Sequence, residues 1–274
     1  MAISQDWQFD LNGVTWGRGV TPTGFSAGTT IAVTELTGLD HPDVNSLVSV
    51  RSNQHGAFIS ARYHAHRVWV LQARMNTSAA NFAADIYALK GLFTSVASGV
   101  TVPFSFKMPN VVQQVSNVNP AGVKYPVRTI ETAVGWVDFT ATLLAGDPRI
   151  YSYALNTSPV ETVAGGAFSL TNAGNFPAPT LITFTGPLTN PVLTDSTTGI
   201  NWGATIVLGT GDTLVVNSLL NTVTYTTGGV SSTKFSTMNA TSDWLTLQPG
   251  ANSLALTAAS GTGNVVVSWN DTWL

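Results

Sequence analysis

Proline and glycine cut the second half of the chain into short pieces, and this rhythm restricts the fold more than any other feature. Phe176-Pro-Ala-Pro179, Gly186-Pro187, Asn190-Pro191, Gly209-Thr-Gly-Asp212, Gly228-Gly229, Gln248-Pro-Gly250 and Gly261-Thr-Gly263 separate runs such as Thr180-Leu-Ile-Thr-Phe-Thr185, Thr213-Leu-Val-Val-Asn217 and Asn264-Val-Val-Val-Ser-Trp-Asn270. Short β-rich runs at such spacing predict an antiparallel β-sandwich. The 38 threonines among 274 residues fit this, since threonine is β-branched and polar and suits the half-solvated face of a sheet.

The first half also reads mainly as strands: Gly56–Tyr63, Arg67–Arg74, and Val134–Leu144 with a stop at Gly146-Asp-Pro148. One helix interrupts them. After Thr77 or Ser78, either able to cap, Phe82, Ile86, Leu89 and Phe93 recur at spacings of four, three and four among alanines, and the pattern decays at Ser98-Gly99. This predicts a helix near 78–98, packed on one sheet. In the segment 107–128, prolines and Asn/Gln argue against a core strand, while Val111, Val112, Val115 and Val118 are too apolar for a free tip. The expectation is an extended arm or hairpin docked on a neighbouring subunit; the alternative is a hairpin folded back on its own barrel.

Charge is scarce: 25 residues, 9%, against roughly 25% in an ordinary soluble domain. Residues 1–150 hold ten basic and nine acidic residues, whereas 151–274 hold Lys234 and five acids. With the Ser/Pro/Gly-rich stretch Asn156–Gly166, this places a domain boundary, giving domains 1–155 and 156–274. A Thr-rich surface with so little charge is a solubility risk for a free monomer, less so if partners cover it. A net charge of −3 leaves no electrostatic footprint for nucleic acid, so no nucleic-acid sequence recognition is expected.

Chemistry is hard to find. Without cysteine there are no disulfides, thiolates or Cys-based metal sites. No signal peptide and no apolar run of about 18 residues is evident, so a soluble chain without a membrane segment is expected. His41, His55, His64 and His66 share one window, and His64-Ala-His66 on a strand would put two imidazoles on one face. A well-spaced third and fourth ligand is missing, so no metal is assigned. No Gly-x-Ser-x-Gly, phosphate-binding loop or distinguished carboxylate pair occurs, so no catalytic residue and no cofactor is assigned. Of eight tryptophans, Trp69, Trp136 and Trp269 lie in predicted strands and read as core; Trp202 and Trp244 are less constrained and are the candidate sugar contacts.

Several segments, in order, carry a resemblance: Phe9-Asp-Leu-Asn-Gly-Val-Thr-Trp16, Val33-Thr-Glu-Leu-Thr-Gly-Leu-Asp-His-Pro-Asp-Val44, Arg51-Ser-Asn-Gln-His-Gly56, Gly146-Asp-Pro-Arg-Ile-Tyr-Ser152, Asn172-Ala-Gly-Asn-Phe-Pro-Ala-Pro179, Ile182-Thr-Phe-Thr-Gly-Pro-Leu-Thr-Asn-Pro191 and Ser268-Trp-Asn-Asp-Thr-Trp-Leu274. Together they resemble the distal tail proteins of long, flexible-tailed bacteriophages, especially minor tail proteins of actinobacterial phages. The resemblance implies a mainly β protein: a tail-tube-like β-barrel or sandwich with one flanking helix, then a galectin-like antiparallel sandwich, with the last few residues packing back on the first domain. It implies a structural virion protein at the distal end of the tail, made in the host cytoplasm. Six copies would form a ring joining the tail tube to the hub of the tail tip or baseplate. Partners would be the chain itself, the tail-tube and hub proteins, and the tape-measure protein as a further candidate. Candidate subunit-interface residues are Arg51, Gln54, His55, Arg62, Val111, Val112 and Val115. The alternative is a carbohydrate-binding or host-adhesion module acting through the second domain.

Overall fold

The computed structural model describes residues 3–46, 48–51, 55, 57–60, 63–94 and 100–274. The chain divides into two compact units, Met1–Tyr153 with Leu274, and Ala154–Trp273.

The first unit runs β1 (Gln8–Leu11), β2 (Val14–Gly17), β3 (Thr30–Thr37), β4 (Val44–Asn45), β5 (Val48–Val50), β6 (Ala57–Ile59), β7 (Tyr63–His64) and β8 (Arg67–Asn76). Then come α1 (Phe82–Leu92), β9 (Val102–Lys107), β10 (Gln114–Lys124), α2 (Thr129–Val134), β11 (Trp136–Ala145) and β12 (Ile150–Ser152). The main strands order as β2-β1-β9-β10-β11-β8-β3, all antiparallel. β10 changes partners midway: Gln114–Val118 pair with β9, and Asn119–Lys124 pair with β11. Strict alternation along β8 and β11 sends Trp69, Leu71, Ala73, Met75, Val137, Phe139, Ala141 and Leu143 inward. They meet an aromatic cluster in which Phe104 lies 6.3 Å from Phe9 and 5.6 Å from Trp69.

The segment 107–128 differs from expectation. Gln114–Lys124 is a central strand, with Val118 fully buried and Val115 paired to Ser105 and Tyr151. The prolines did not prevent this, because Pro120 sits beside the register shift at Pro120/Gly122, where a ladder tolerates a missing N–H. The turn before this strand leaves Val111 and Val112 exposed.

The helix is shorter than 78–98 at both ends, with Leu92 its last residue and Phe93 its C-cap. Ser78 and its two following alanines make a turn in which Asn81 N–H donates to Ser78 Oγ at 3.2 Å, and α1 begins at Phe82. Thr77 does not cap; its hydroxyl donates to Asp85. Phe82, Leu89 and Phe93 are buried as predicted, and so is Asp85, on the same face. Residues 95–99 lie outside the described residues.

The second unit runs β13 (Asn156–Thr157), β14 (Glu161–Thr162), β15 (Ala167–Asn172), β16 (Ala178–Thr185), β17 (Leu188–Thr189), β18 (Val192–Asp195), β19 (Asn201–Gly203) and β20 (Val207–Leu208). It continues with β21 (Thr213–Asn217), β22 (Thr222–Thr227), β23 (Val230–Thr233), β24 (Thr246–Leu247), β25 (Gly250–Thr257), β26 (Ser260–Gly261) and β27 (Asn264–Trp269). One sheet orders as β13-β27-β16-β21-β22-β23 and a second as β15-β25-β18-β19. Ile182, Phe184, Leu214, Val216, Val265 and Val267 of the first pack with Leu170, Leu193, Trp202, Leu254 and Leu256 of the second in one core. The punctuating turns are where the sequence put them. Gly209-Thr-Gly-Asp212 leads into β21, with Asp212 Oδ2 accepting from Gly209 N–H at 2.8 Å.

Candidate assembly surfaces

β4 pairs with β7 (Val44↔His64, Asn45↔Tyr63) and β5 with β6 (Val48↔Ile59, Ser49↔Phe58, Val50↔Ala57). Neither two-stranded ladder joins a third strand among the described residues. The pair forms a hairpin excursion between β3 and β8, with Arg51 and His55, both exposed, between β5 and β6. Val44, Val48 and Tyr63 are also exposed, the last at 71%. Two strands alone are marginal in water, so this hairpin depends on what holds its base and what covers its faces.

Arg67, the first residue of β8, holds the base. It is 2% exposed, and its guanidinium donates to Pro148 O at 2.7 Å, to Asp40 O at 2.8 Å and to Gly38 O. One fork thus ties the hairpin's entry to the turn before β12. Desolvation lowers the Arg67 pKa and the nearby Asp40 charge opposes this. Just beyond, Asp147 accepts from Arg149 Nε at 2.8 Å and from Tyr151 hydroxyl at 2.6 Å. Burial and Asp147 push the Tyr151 pKa far up, so its proton stays on the phenol. Neither Arg67 nor Asp85 stood out in the sequence. A cation opening an apolar strand and an acid on the apolar face of a helix are the signals that could have found them.

Arg51 and His55 are both exposed between β5 and β6, while Gln54 and Arg62 lie outside the described residues. Val111 and Val112 stand on the β9–β10 turn, and Val115 lies within the sheet. The histidines pair differently from the sequence reading. His64 stacks edge-on with His41, ring centroids 4.8 Å apart, while His66 lies past the end of β7 and is exposed. No group of three His, Asp or Glu that could hold a metal ion occurs among the described residues.

In the second unit Trp202 is fully buried and stacked on Phe184 at 5.6 Å, so it offers no face to a saccharide. Its strand, β19, turns it inward opposite Leu193. Trp244 is half-buried and lies 6.1 Å from the exposed ring of Phe235.

Residues 173–273 match the sequence model of the siphovirus-type tail component, C-terminal domain. That match lies within the second unit. Over the whole chain the fold is similar to the crystal structure of SPP1 Dit (gp 19.1), described as a paradigm of the hub adsorption apparatus in Gram-positive infecting phages. That alignment has a TM-score of 0.70 at 14% identity and covers 97% of this chain and 99% of that one. Two structures of the phage p2 baseplate in its activated conformation, with Sr and with Ca, align at a TM-score of 0.48 and 10% identity, over 95% of this chain and 97% of theirs. No curated protein sequence matches the chain. The chain's fold is thus similar to that of SPP1 Dit. No helix among the chain's described residues is long and apolar enough to cross a membrane.

Proposed function

We propose that this chain is the ring adaptor at the distal end of the tail, six copies joining the tail tube to the hub of the tip or baseplate. Residues 1–155 form the ring, and residues 156–274 form a sandwich of galectin-like arrangement. Its partners are further copies of itself, the tail-tube and hub proteins, and the tape-measure protein; it is made in the host cytoplasm and catalyses no reaction. The observation that carries this reading is the two-stranded hairpin between β3 and β8. It has apolar residues exposed along it and a buried arginine at its base, as expected of an element completed by a neighbour. Arg51 and His55 between β5 and β6, with Val111 and Val112 on the β9–β10 turn, are the proposed subunit contacts. SPP1 Dit, whose fold is similar, belongs to a hub apparatus.

Native mass measurement tests it. The parent chain is expected at six times 28.8 kDa. Val48→Asp with Tyr63→Asp should leave a folded monomer, because both side chains are already solvated in the isolated chain. A parent that stays monomeric at high concentration would sink the proposal.

The Trp244–Phe235 surface pair supports one second reading, a saccharide contact on the second unit. Chemical-shift perturbation by host cell-wall glycan fragments, lost in Trp244→Ala, is the expected result; no perturbation in the parent removes this reading.

A further inference from the structure

Helix α2 is inside out. Its only carboxylate, Glu131, is 1% exposed, accepts from Arg128 N–H at 3.2 Å and pairs with the Arg128 guanidinium at 3.2 Å. Meanwhile Val127, Ile130 and Val134 are 56%, 69% and 63% exposed. Ile130 and Val134 lie one turn apart on one face, and Val127 stands just before the N-cap Arg128, whose backbone is extended. An ordinary surface helix has the opposite pattern. In the isolated chain this arrangement costs twice, by desolvating a carboxylate and by wetting three aliphatic side chains.

At the far end of α1 lies a groove of about 340 Å³, lined by Val14, Phe25, Gly91 and Leu92 together with the polar Asn12 and Thr23. Gly91 stands in the last turn of α1 and is not among the glycines with a left-handed backbone, so the chain path does not require it. A Cβ built there would meet nothing within 4 Å. Glycine within a helix costs roughly 1 kcal/mol relative to alanine, and here its effect is to keep the groove open.

α2 sits beside the start of α1: Thr77 N–H donates to Gly135 O at 2.7 Å, and Ala79 lines a surface hollow with Val127 and Thr129. The eleven residues of α1, about 16 Å of helix, therefore separate the apolar stripe from the groove. One copy does not fill its own groove with its own α2.

We propose that the Ile130/Val134 face of α2, with Val127 just before it, of one copy seats in the Val14/Phe25/Leu92 groove of the next copy, the head-to-tail contact that closes the ring. This rests on the ring reading above and names the surfaces that make it. A ring needs two different patches on every copy that fit each other, and the first unit carries one apolar ridge and one hollow of mixed lining in which Val14, Phe25 and Leu92 supply the apolar part. Three aliphatic side chains fall well short of the roughly 800 Å² per partner that a stable interface buries. The seat is therefore the anchor of a wider contact, to which the exposed hairpin of the same unit contributes, and a second copy supplies both.

The chain has no cysteine, so cysteine cross-linking reads the contact directly. The double variant Ile130→Cys with Gly91→Cys, mildly oxidised, should give a covalent ladder up to the ring number on non-reducing gels, and either single variant should give none. Gly91→Leu should lose the ring by native mass, with the first unit's melting temperature moved by no more than a few degrees. Ile130→Asp, at a position already exposed, should do the same without any risk to folding. Rings that persist in Gly91→Leu and Ile130→Asp overturn the proposal while leaving the ring reading intact. So does a cysteine pair that assembles without a ladder. A covalent dimer from Ile130→Cys alone overturns it too, since α2 would then meet α2. A parent that never exceeds monomer mass removes the ring reading and this contact with it.

Discussion

The two units solve the burial of polar groups differently. In the second unit, buried Asp195 and Asn252 mostly close local turns: Asp195 accepts from Thr197 N–H and Thr198 hydroxyl, and Asn252 bonds the backbone of Gln248. In the first unit, buried Arg67 and Asp85 reach across the chain, Arg67 to Gly38, Asp40 and Pro148, and Asp85 to Ser26 and Thr29. The first unit has long connections, 18–29 and 38–66, that its sheet does not hold, so single ionised side chains tether them. The second holds most of its turns locally and ties its longer 234–245 connection with neutral groups, Ser242 donating to Gly203 O and Thr180 to Leu245 O. The tethered excursions are also where the proposed assembly surfaces lie, so the first unit gives up local self-sufficiency for reach.

The sharpest way to break this comparison is to cut a tether. Arg67→Met fits the apolar surroundings but leaves three backbone carbonyls without their donor. Removing one partner of a buried charged contact costs about 3–5 kcal/mol. A calorimetric scan should show the first unit's transition falling by many degrees and the second's unmoved. If neither transition moves, the tether does not hold the hairpin base. Arg67→Lys should recover only part of the loss, since an ammonium cannot reproduce the guanidinium fork.

Asp85 gives a smaller effect with a pH signature. Burial pushes its carboxyl pKa up, but hydrogen bonds from Thr77, Thr29 and Ser26 outweigh this and hold it below the usual carboxylate range. A carboxylate with a depressed folded pKa contributes stability that is present above its unfolded pKa, about 3.9. That stability is lost as pH falls through the folded value. Asp85→Asn should therefore cost about 1–3 kcal/mol at neutral pH. The gap between parent and variant should narrow as pH drops from 5 to 3, read from the first unit's melting temperature. A constant gap would show that ionisation of Asp85 is not what ties α1 to the 18–29 connection.

These effects also mark what was legible in the sequence. The second unit was readable because its turns are written locally: proline and glycine bound each strand, and alternation along β16 and β27 sends Ile182, Phe184, Val265 and Val267 inward. The α1 periodicity was equally plain, although its start was not, because Ser78 caps a turn and not the helix. The segment around β10 misled because composition cannot report that one strand changes partners midway, with Pro120 placed at the irregularity of its pairing with β11. Trp202 looked unconstrained because β19 is only three residues long, too short to display an alternation. Among candidate site residues, Arg51, His55, Val111 and Val112 are exposed as an interface needs. The inverted pattern of α2 was present in the sequence but hidden, since six residues are too few for periodicity to announce a helix.

The smallest effect contrasts the two buried indoles. Trp69 of the first unit donates Nε1–H to the buried Ser116 hydroxyl at 3.3 Å. Trp69→Phe removes ring volume and leaves that hydroxyl without its donor, which costs about 1–3 kcal/mol for the orphaned group alone. Trp202 of the second unit is equally buried, yet its Nε1 meets no hydrogen-bond partner among the described residues. Trp202→Phe keeps an aromatic ring stacked on Phe184 and discards an N–H whose burial is itself unfavourable, so lost packing and relieved desolvation oppose each other. The net change should stay within about 1 kcal/mol, against a clear fall for Trp69→Phe, each read from the melting transition of its own unit. Equal shifts in the two variants would mean that packing alone sets the cost, and that polar satisfaction does not distinguish the two cores.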